Sequence, residues 1–158
     1  MSKRLKQIGV ASFVVLAAAQ LARPDRANPP TDASRTIQGR LGAVSTLGAV
    51  LHRSCGDCHS NETAWASLPW YTQVAPVSWV MAYAVKNGRK TINFSEWVAY
   101  SPEQQRSLLA LSCTDVTDGK MPDGYTHVRP ETRLSAQDVE TICTAAREAE
   151  AHPARVSH

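Results

Sequence analysis

The segment Cys55-Gly56-Asp57-Cys58-His59 sets two thiols three positions apart, with an imidazole directly after the second. In C-x-x-C-H, two thiols at this spacing add across the vinyl groups of a haem, and the adjacent histidine is held beneath the iron as an axial ligand. Other chemistries use the same side chains. A Cys55–Cys58 disulfide is possible outside the cytoplasm but leaves His59 without a role. A thioredoxin-type pair wants a βαβ setting, which no stretch of this chain suggests. Zinc could take both cysteines with His52 or His59, yet no second ligand pair completes the site. Three further features favour haem: an export-type N-terminus, an apolar helical run leading into Cys55, and a Met121-Pro122 pair in a loop before a capped C-terminal helix. The expected cofactor is one covalently attached haem c per chain.

The distal ligand decides what such a haem does. Met121 lies between Gly119-Lys120 and Pro122, outside any helical periodicity. A thioether is a soft ligand that favours ferrous iron and raises the reduction potential relative to a second histidine. With His59 and Met121 both on the iron, no position is open for oxygen or substrate, which favours electron transfer over catalysis. No distal acid–base pair suggests a peroxidase-like enzyme. The rival distal ligand is His127, in the same loop. Met81 sits in a helical stretch and reads as core, and His52, His152 and His158 have no supporting context.

The other two cysteines, Cys113 and Cys143, fall on predicted helices flanking the Met121 loop. In an exported protein they suggest a disulfide tying those helices together; the alternative is a pair of small buried thiols. Trp65, Trp70, Trp79 and Trp97 are many for a domain with 2 Phe, and one or two are expected as haem-pocket walls that exclude water. Lys86, Arg89 and Lys90 form a positive cluster that would pair haem propionates, dock a redox partner, or simply solvate a helix end.

The elements that must position these residues read as helices. Val44, Leu47, Val50 and Leu51 fall at helical spacing in a run from Leu41 to Cys55. Pro76 opens a helix through Trp79, Val80, Tyr83 and Ala84 that Asn87-Gly88 would terminate. Ser101-Pro102-Glu103-Gln104 has the composition of a capped start, with Leu108, Leu109 and Leu111 following. Ser135 caps a last helix with Val139, Ile142, Cys143 and Ala146 on one face. Long connections between them carry Trp65, Pro69, Trp70, Gly119, Met121, Asp123 and Gly124. The expected fold is a small all-α, cytochrome-c-like domain whose long loops wrap a haem.

Charge and hydropathy divide the chain. Of 17 Lys+Arg and 14 Asp+Glu, the first 26 residues hold five bases and one acid, which leaves 12 bases and 13 acids for the rest. With no basic block outside the N-terminus, nucleic-acid binding is excluded. Lys3, Arg4 and Lys6 precede an uncharged run from Gln7 to Ala22, as in a secretory segment. Sixteen helical residues rise about 24 Å, short of the ~30 Å hydrocarbon core, and Ala17-Ala18-Ala19 offers a small-x-small cleavage site. Residues 1–22 are thus a signal or membrane-anchor segment, 23–36 a Pro-rich spacer, 37–150 the haem-binding domain and 151–158 a tail. Two fates stand for the first segment: an anchor on the periplasmic side of a bacterial inner membrane, or cleavage near Ala19 to leave a soluble periplasmic protein.

The chain also resembles a family. Cys55 to Thr63, Pro69-Trp70-Tyr71, Ala75-Pro76-Val77-Ser78-Trp79, Gly88-Arg89, Asn93-Phe94-Ser95-Glu96-Trp97, Gly119-Lys120-Met121-Pro122, Tyr125, Arg133-Leu134-Ser135 and Ile142-Cys143 are similar to the bacterial haem-binding domain family. Gln20 to Pro24 and Asn28-Pro29 resemble its membrane-proximal segment, so the likeness covers about residues 20–147. It implies an exported, single-haem, cytochrome-c-like protein. Two departures stand out. Ala66-Ser67-Leu68 is inserted before the Pro-Trp-Tyr, and Arg129-Pro130 replaces a His-Pro common in the family. The second argues against position 129 as an iron ligand and tilts the distal choice toward Met121. Two function classes follow: an electron carrier serving exported redox partner proteins, and a haem-based sensor or small-ligand-binding module in which Met121 is displaced.

Overall fold

A computed structural model describes residues 3–42, 45–122 and 124–151; Val44, Asp123 and the tail from His152 lie outside the described residues. Among those described, six α-helices are joined by short 3-10 turns, and there is no strand. They are α1 (Lys3–Ala19), α2 (Ile37–Leu41), α3 (Thr46–His59), α4 (Val77–Thr91), α5 (Pro102–Thr117) and α6 (Ala136–Ala151). The all-α expectation holds.

Local chemistry sets the boundaries. The run expected as one helix from Leu41 to Cys55 is broken, because Gly42 takes φ 87° and ends α2, a left-handed conformation that glycine adopts at little cost. Ser45 then caps α3 by accepting from the Gly48 N–H at 3.2 Å. Ser101 and Gln104 form the reciprocal capping box at the start of α5. Ser135 and Asp138 do the same for α6, through Ser135 N–H to Asp138 Oδ2 at 2.8 Å and Asp138 N–H to Ser135 Oγ at 3.2 Å. Asn87-Gly88 does not terminate α4, which continues to Thr91.

The core lies where α3, α5 and α6 meet, with Ile37, Leu51 and Ile142 fully enclosed and Phe94 and Trp97 from the 94–99 turn filling one side. α5 and α6 pack against each other, and α3 packs against both α4 and α6. A disulfide joins Cys113 to Cys143 between α5 and α6, their Cα atoms 4.8 Å apart. Met81 is buried in α4.

The Pro-rich segment 23–36 is irregular up to Asp32, makes a 3-10 turn at Ala33–Arg35 and is strapped to the domain. The Arg26 guanidinium bonds Gln73 and donates to the Thr72 carbonyl at 2.8 Å, while stacking 5.3 Å over the Trp65 ring. Asn28 donates to the Thr63 carbonyl at 2.9 Å, and Asn61 to the Pro30 carbonyl at 3.3 Å. Arg89 closes the strap, donating to the Ser60 carbonyl at 2.7 Å, Asn28 Oδ1 at 2.8 Å and Thr63 Oγ1 at 2.9 Å. It is therefore an internal tie, and neither a solvated helix end nor a free cation. Helix α1 buries no residue, and no helix among the described residues is long and apolar enough to cross a membrane. The membrane-anchor expectation for residues 1–22 thus finds no spanning helix in the structure.

Candidate haem site

The last turn of α3 delivers Cys55, Cys58 and His59 to the edge of a cleft of about 420 Å³ between α3, α4, α5 and the Met121 loop. One feature lets α4 lie close against that turn. Gly88 has no side chain, and a Cβ there would stand 2.4 Å from the Cys58 carbonyl oxygen. Spacing along the helix then turns Val80, Tyr83, Ala84 and Asn87 toward the cleft, while Leu108, Leu111, Ser112 and Asp115 of α5 form the facing stripe. Ile92, Phe94 and Ile142 close the back, so the lining is mostly apolar.

His59 is oriented from behind. Its Nδ1 lies 3.2 Å from the Ile92 carbonyl oxygen, and that oxygen can only accept, so Nδ1 carries the proton and Nε2 the free lone pair. Burial lowers the imidazole pKa from its ordinary value, against the opposing pull of the backbone carbonyls of Ile92 and Gly88. The ring is thus held neutral, as a metal ligand requires. Cys55 and Cys58 are both free thiols. Burial pushes Cys55 up to about 12 and Cys58 up to about 11, the neighbouring thiol and Asp57 adding to the respective shifts. Two half-buried thiols, a neutral oriented imidazole and an apolar cleft fit a haem joined at this turn.

Met121 lines the same cleft from across the chain, with its backbone N–H donating to the Asp115 carbonyl at the end of α5 at 3.2 Å. It is 41% exposed, so one flank faces solvent. His127 is exposed and does not line the cleft. None of the four tryptophans lines it either, contrary to the expectation of one or two as pocket walls. Trp97 is core, Trp70 is exposed, Trp65 stacks under Arg26, and Trp79 donates to the Ala22 carbonyl at 2.6 Å. The aromatic walls are instead Tyr83, Phe94 and Tyr125. A zinc reading gains no support, since no three His, Cys, Asp or Glu side chains converge as a metal-ion site among the described residues.

Asp57, the second spacer residue of the motif, was not legible as functional from the sequence. Its Oδ2 accepts from Tyr125 Oη at 2.7 Å and from Arg129 Nη1 at 3.2 Å, and its Oδ1 from the Ala64 N–H at 2.8 Å. Burial first, and then the Asp57 carboxylate, hold the Tyr125 hydroxyl protonated by raising its pKa. Arg129, the departure from His-Pro, is thus an ion-pair partner of the C-x-x-C-H turn. Only tertiary proximity reveals this, because Asp57 and Arg129 carry no periodicity or spacing signal.

An all-helical fold around an apolar cleft that presents an oriented imidazole, a thioether and two free thiols defines the class: a small haem protein. A family model described as the haem-binding domain matches residues 14–148, and the chain belongs to that family. Haem is therefore its cofactor. No significant match was found among curated proteins or among solved structures.

Proposed function

We propose that this protein is a monohaem c-type cytochrome that passes single electrons between redox partner proteins outside the cytoplasm. The observation that carries the reading is that His59 and Met121, remote in sequence, line one apolar cleft together with both motif cysteines. Cys55 and Cys58 would bind the haem covalently, and His59 Nε2 and Met121 Sδ would hold its iron. When bound, the haem would supply a one-electron iron couple tuned by those ligands. The chain's residues do the rest. Ile92 fixes the imidazole, the apolar walls of α4 and α5 exclude water, and the open flank beside Met121 leaves an edge for a partner protein. The N-terminal segment serves export to the periplasmic side, where covalent haem attachment takes place.

The competing reading is a small-ligand sensor in which Met121 yields its place, and its partial exposure on a loop is what favours it. One set of measurements separates these. Protein matured with a cytochrome c assembly system should keep its haem through acid–acetone extraction and denaturing electrophoresis, and Cys55→Ala with Cys58→Ala should abolish this. The ferric protein should show the weak red-edge band of thioether ligation, and the reduced protein should form no CO adduct. Met121→Ala should keep the haem, lose the band, lower the potential and bind CO readily. A Met121→Ala spectrum, potential and CO response identical to the parent would remove Met121 from the iron, and His127→Ala would be the next variant. Ready CO binding by the parent would favour the sensor.

A further inference from the structure

We infer that Asp57, Tyr125 and Arg129 form a latch that holds the Met121 loop against the haem-attachment turn, which makes them positioning residues for the distal ligand. The inference rests on the His59/Met121 reading and extends it. The Met121 loop leaves α5 at the Asp115 carbonyl, which accepts from the N–H groups of Lys120 and Met121 at 2.8 and 3.2 Å. Beyond Met121 its tie to the motif is the Asp57 carboxylate, through the Tyr125 hydroxyl at 2.7 Å and the Arg129 guanidinium at 3.2 Å. The loop is therefore pinned on both sides of Met121, once to α5 and once to the residue between the two cysteines.

The far pin is sheltered. The side chains of Arg129 and Asp57 are 21% and 14% exposed, so their attraction is less screened by water than that of a surface pair. Arg129 is itself steadied by Glu131 at 2.8 Å, and its backbone N–H donates to the Tyr125 carbonyl at 2.8 Å, coupling the two donors. Hydrogen bonds to a charged acceptor are the stronger kind. Such a latch sets how often Met121 leaves its position, and so sets both the reduction potential and the access of outside ligands.

The test uses the full-length holoprotein and three variants. Tyr125→Phe keeps the ring in the cleft wall and deletes only the hydroxyl. Arg129→Gln removes the cation. Asp57→Asn keeps an acceptor for the Ala64 N–H but loses the charge. Each should keep covalent haem, bind imidazole at the ferric iron about tenfold more tightly than the parent, the effect of losing one hydrogen bond to a charged group, and have a lower potential. Tyr125→Phe combined with Arg129→Gln should shift affinity by less than the product of the single shifts, because both act through one carboxylate. Limited proteolysis should cut the 118–133 loop faster in each. Arg147→Gln, which removes an exposed pair with Glu140 on α6, should leave imidazole affinity unchanged.

Parental imidazole affinity and loop cleavage in all three variants, in a protein whose Met121→Ala change does open the iron, would overturn the latch alone. If Met121→Ala leaves the parent spectrum unaltered, the ligand reading itself falls, and the latch as a device for Met121 falls with it.

Discussion

At the scale of single residues, Gly88 separates what helix chemistry alone predicts from what the fold requires. In an isolated helix, alanine outranks glycine by about 1 kcal/mol, so Gly88→Ala in the interior of α4 would be stabilising. In the fold, the added Cβ would stand 2.4 Å from the backbone oxygen of Cys58, and α4 would have to back away from the turn that carries both thiols. Overpacking of this kind costs about 1–3 kcal/mol. Gly88→Ala is therefore expected to lower the urea midpoint and reduce haem incorporation, while the helicity seen by circular dichroism stays near the parent's. A stabilised variant with full haem content would show that α4 does not need this approach. The same contrast marks what could be read in advance. Cys55, Cys58, His59 and Met121, which line one cleft, could be nominated from the sequence, because the chemistry expected of them depends on residue type, spacing and neighbours in the chain. Gly88 looked like a helix stop, and Asp57 like filler. Each acquires its role only when a remote backbone or side chain arrives.

Among the elements, capped helices were the most readable parts. Ser101 with Gln104 and Ser135 with Asp138 announce α5 and α6 by local hydrogen bonding. The 3-10 turns at Trp65–Ser67, Trp70–Gln73 and Phe94–Ala99 were not, because they are shaped by what they pack against. Phe94 and Trp97 are buried in the core, where the tryptophan expected at the haem stands instead as structural mass. The link between α5 and α6 matters most for function, since the Met121 loop hangs between these helices. Cys113 and Cys143, 30 positions apart, are bridged there. In the chain-entropy account, closing a loop of that size stabilises by about 3–4 kcal/mol. The double change Cys113→Ser with Cys143→Ser should lower unfolding free energy by an amount of that order and weaken the ferric thioether band by loosening the loop. Mass spectrometry of unreduced parental peptides should contain the linked pair, and free-thiol labelling of both cysteines in the folded parent would refute it.

Across the whole molecule, the division between the N-terminal helix and the rest of the fold falls at a single residue. Helix α1 ends at Ala19 with none of its residues buried, and its apolar side chains, Ile8, Phe13, Val14, Val15 and Leu16 among them, are more than half exposed. Gln20 is the next residue, and it bonds the domain twice: its Oε1 accepts from the Ala75 N–H at 2.9 Å and its Nε2 donates to the Ala75 carbonyl at 3.4 Å. Ala22 follows, accepting from the Trp79 indole, and then the strap through Arg26 and Asn28. A segment that adds apolar exposure and little burial contributes little to folding. On the proposed reading, its charged start and apolar run serve transport across a membrane instead. A chain lacking residues 1–19, directed to the periplasm by an unrelated cleavable signal, should therefore acquire haem and unfold within about 1 kcal/mol of the full chain, because no residue of α1 is buried and the ties of Gln20, Ala22, Arg26 and Asn28 to the domain lie beyond the cut. Removing residues 1–30 should cost more, since it takes away the Arg26 and Asn28 contacts and leaves Arg89 with fewer acceptors. Unfolding by urea, followed through the haem absorbance, reads both differences on one scale. Equal losses for the two truncations would place no value on the strap, and a large loss for the first would give α1 a part in the fold.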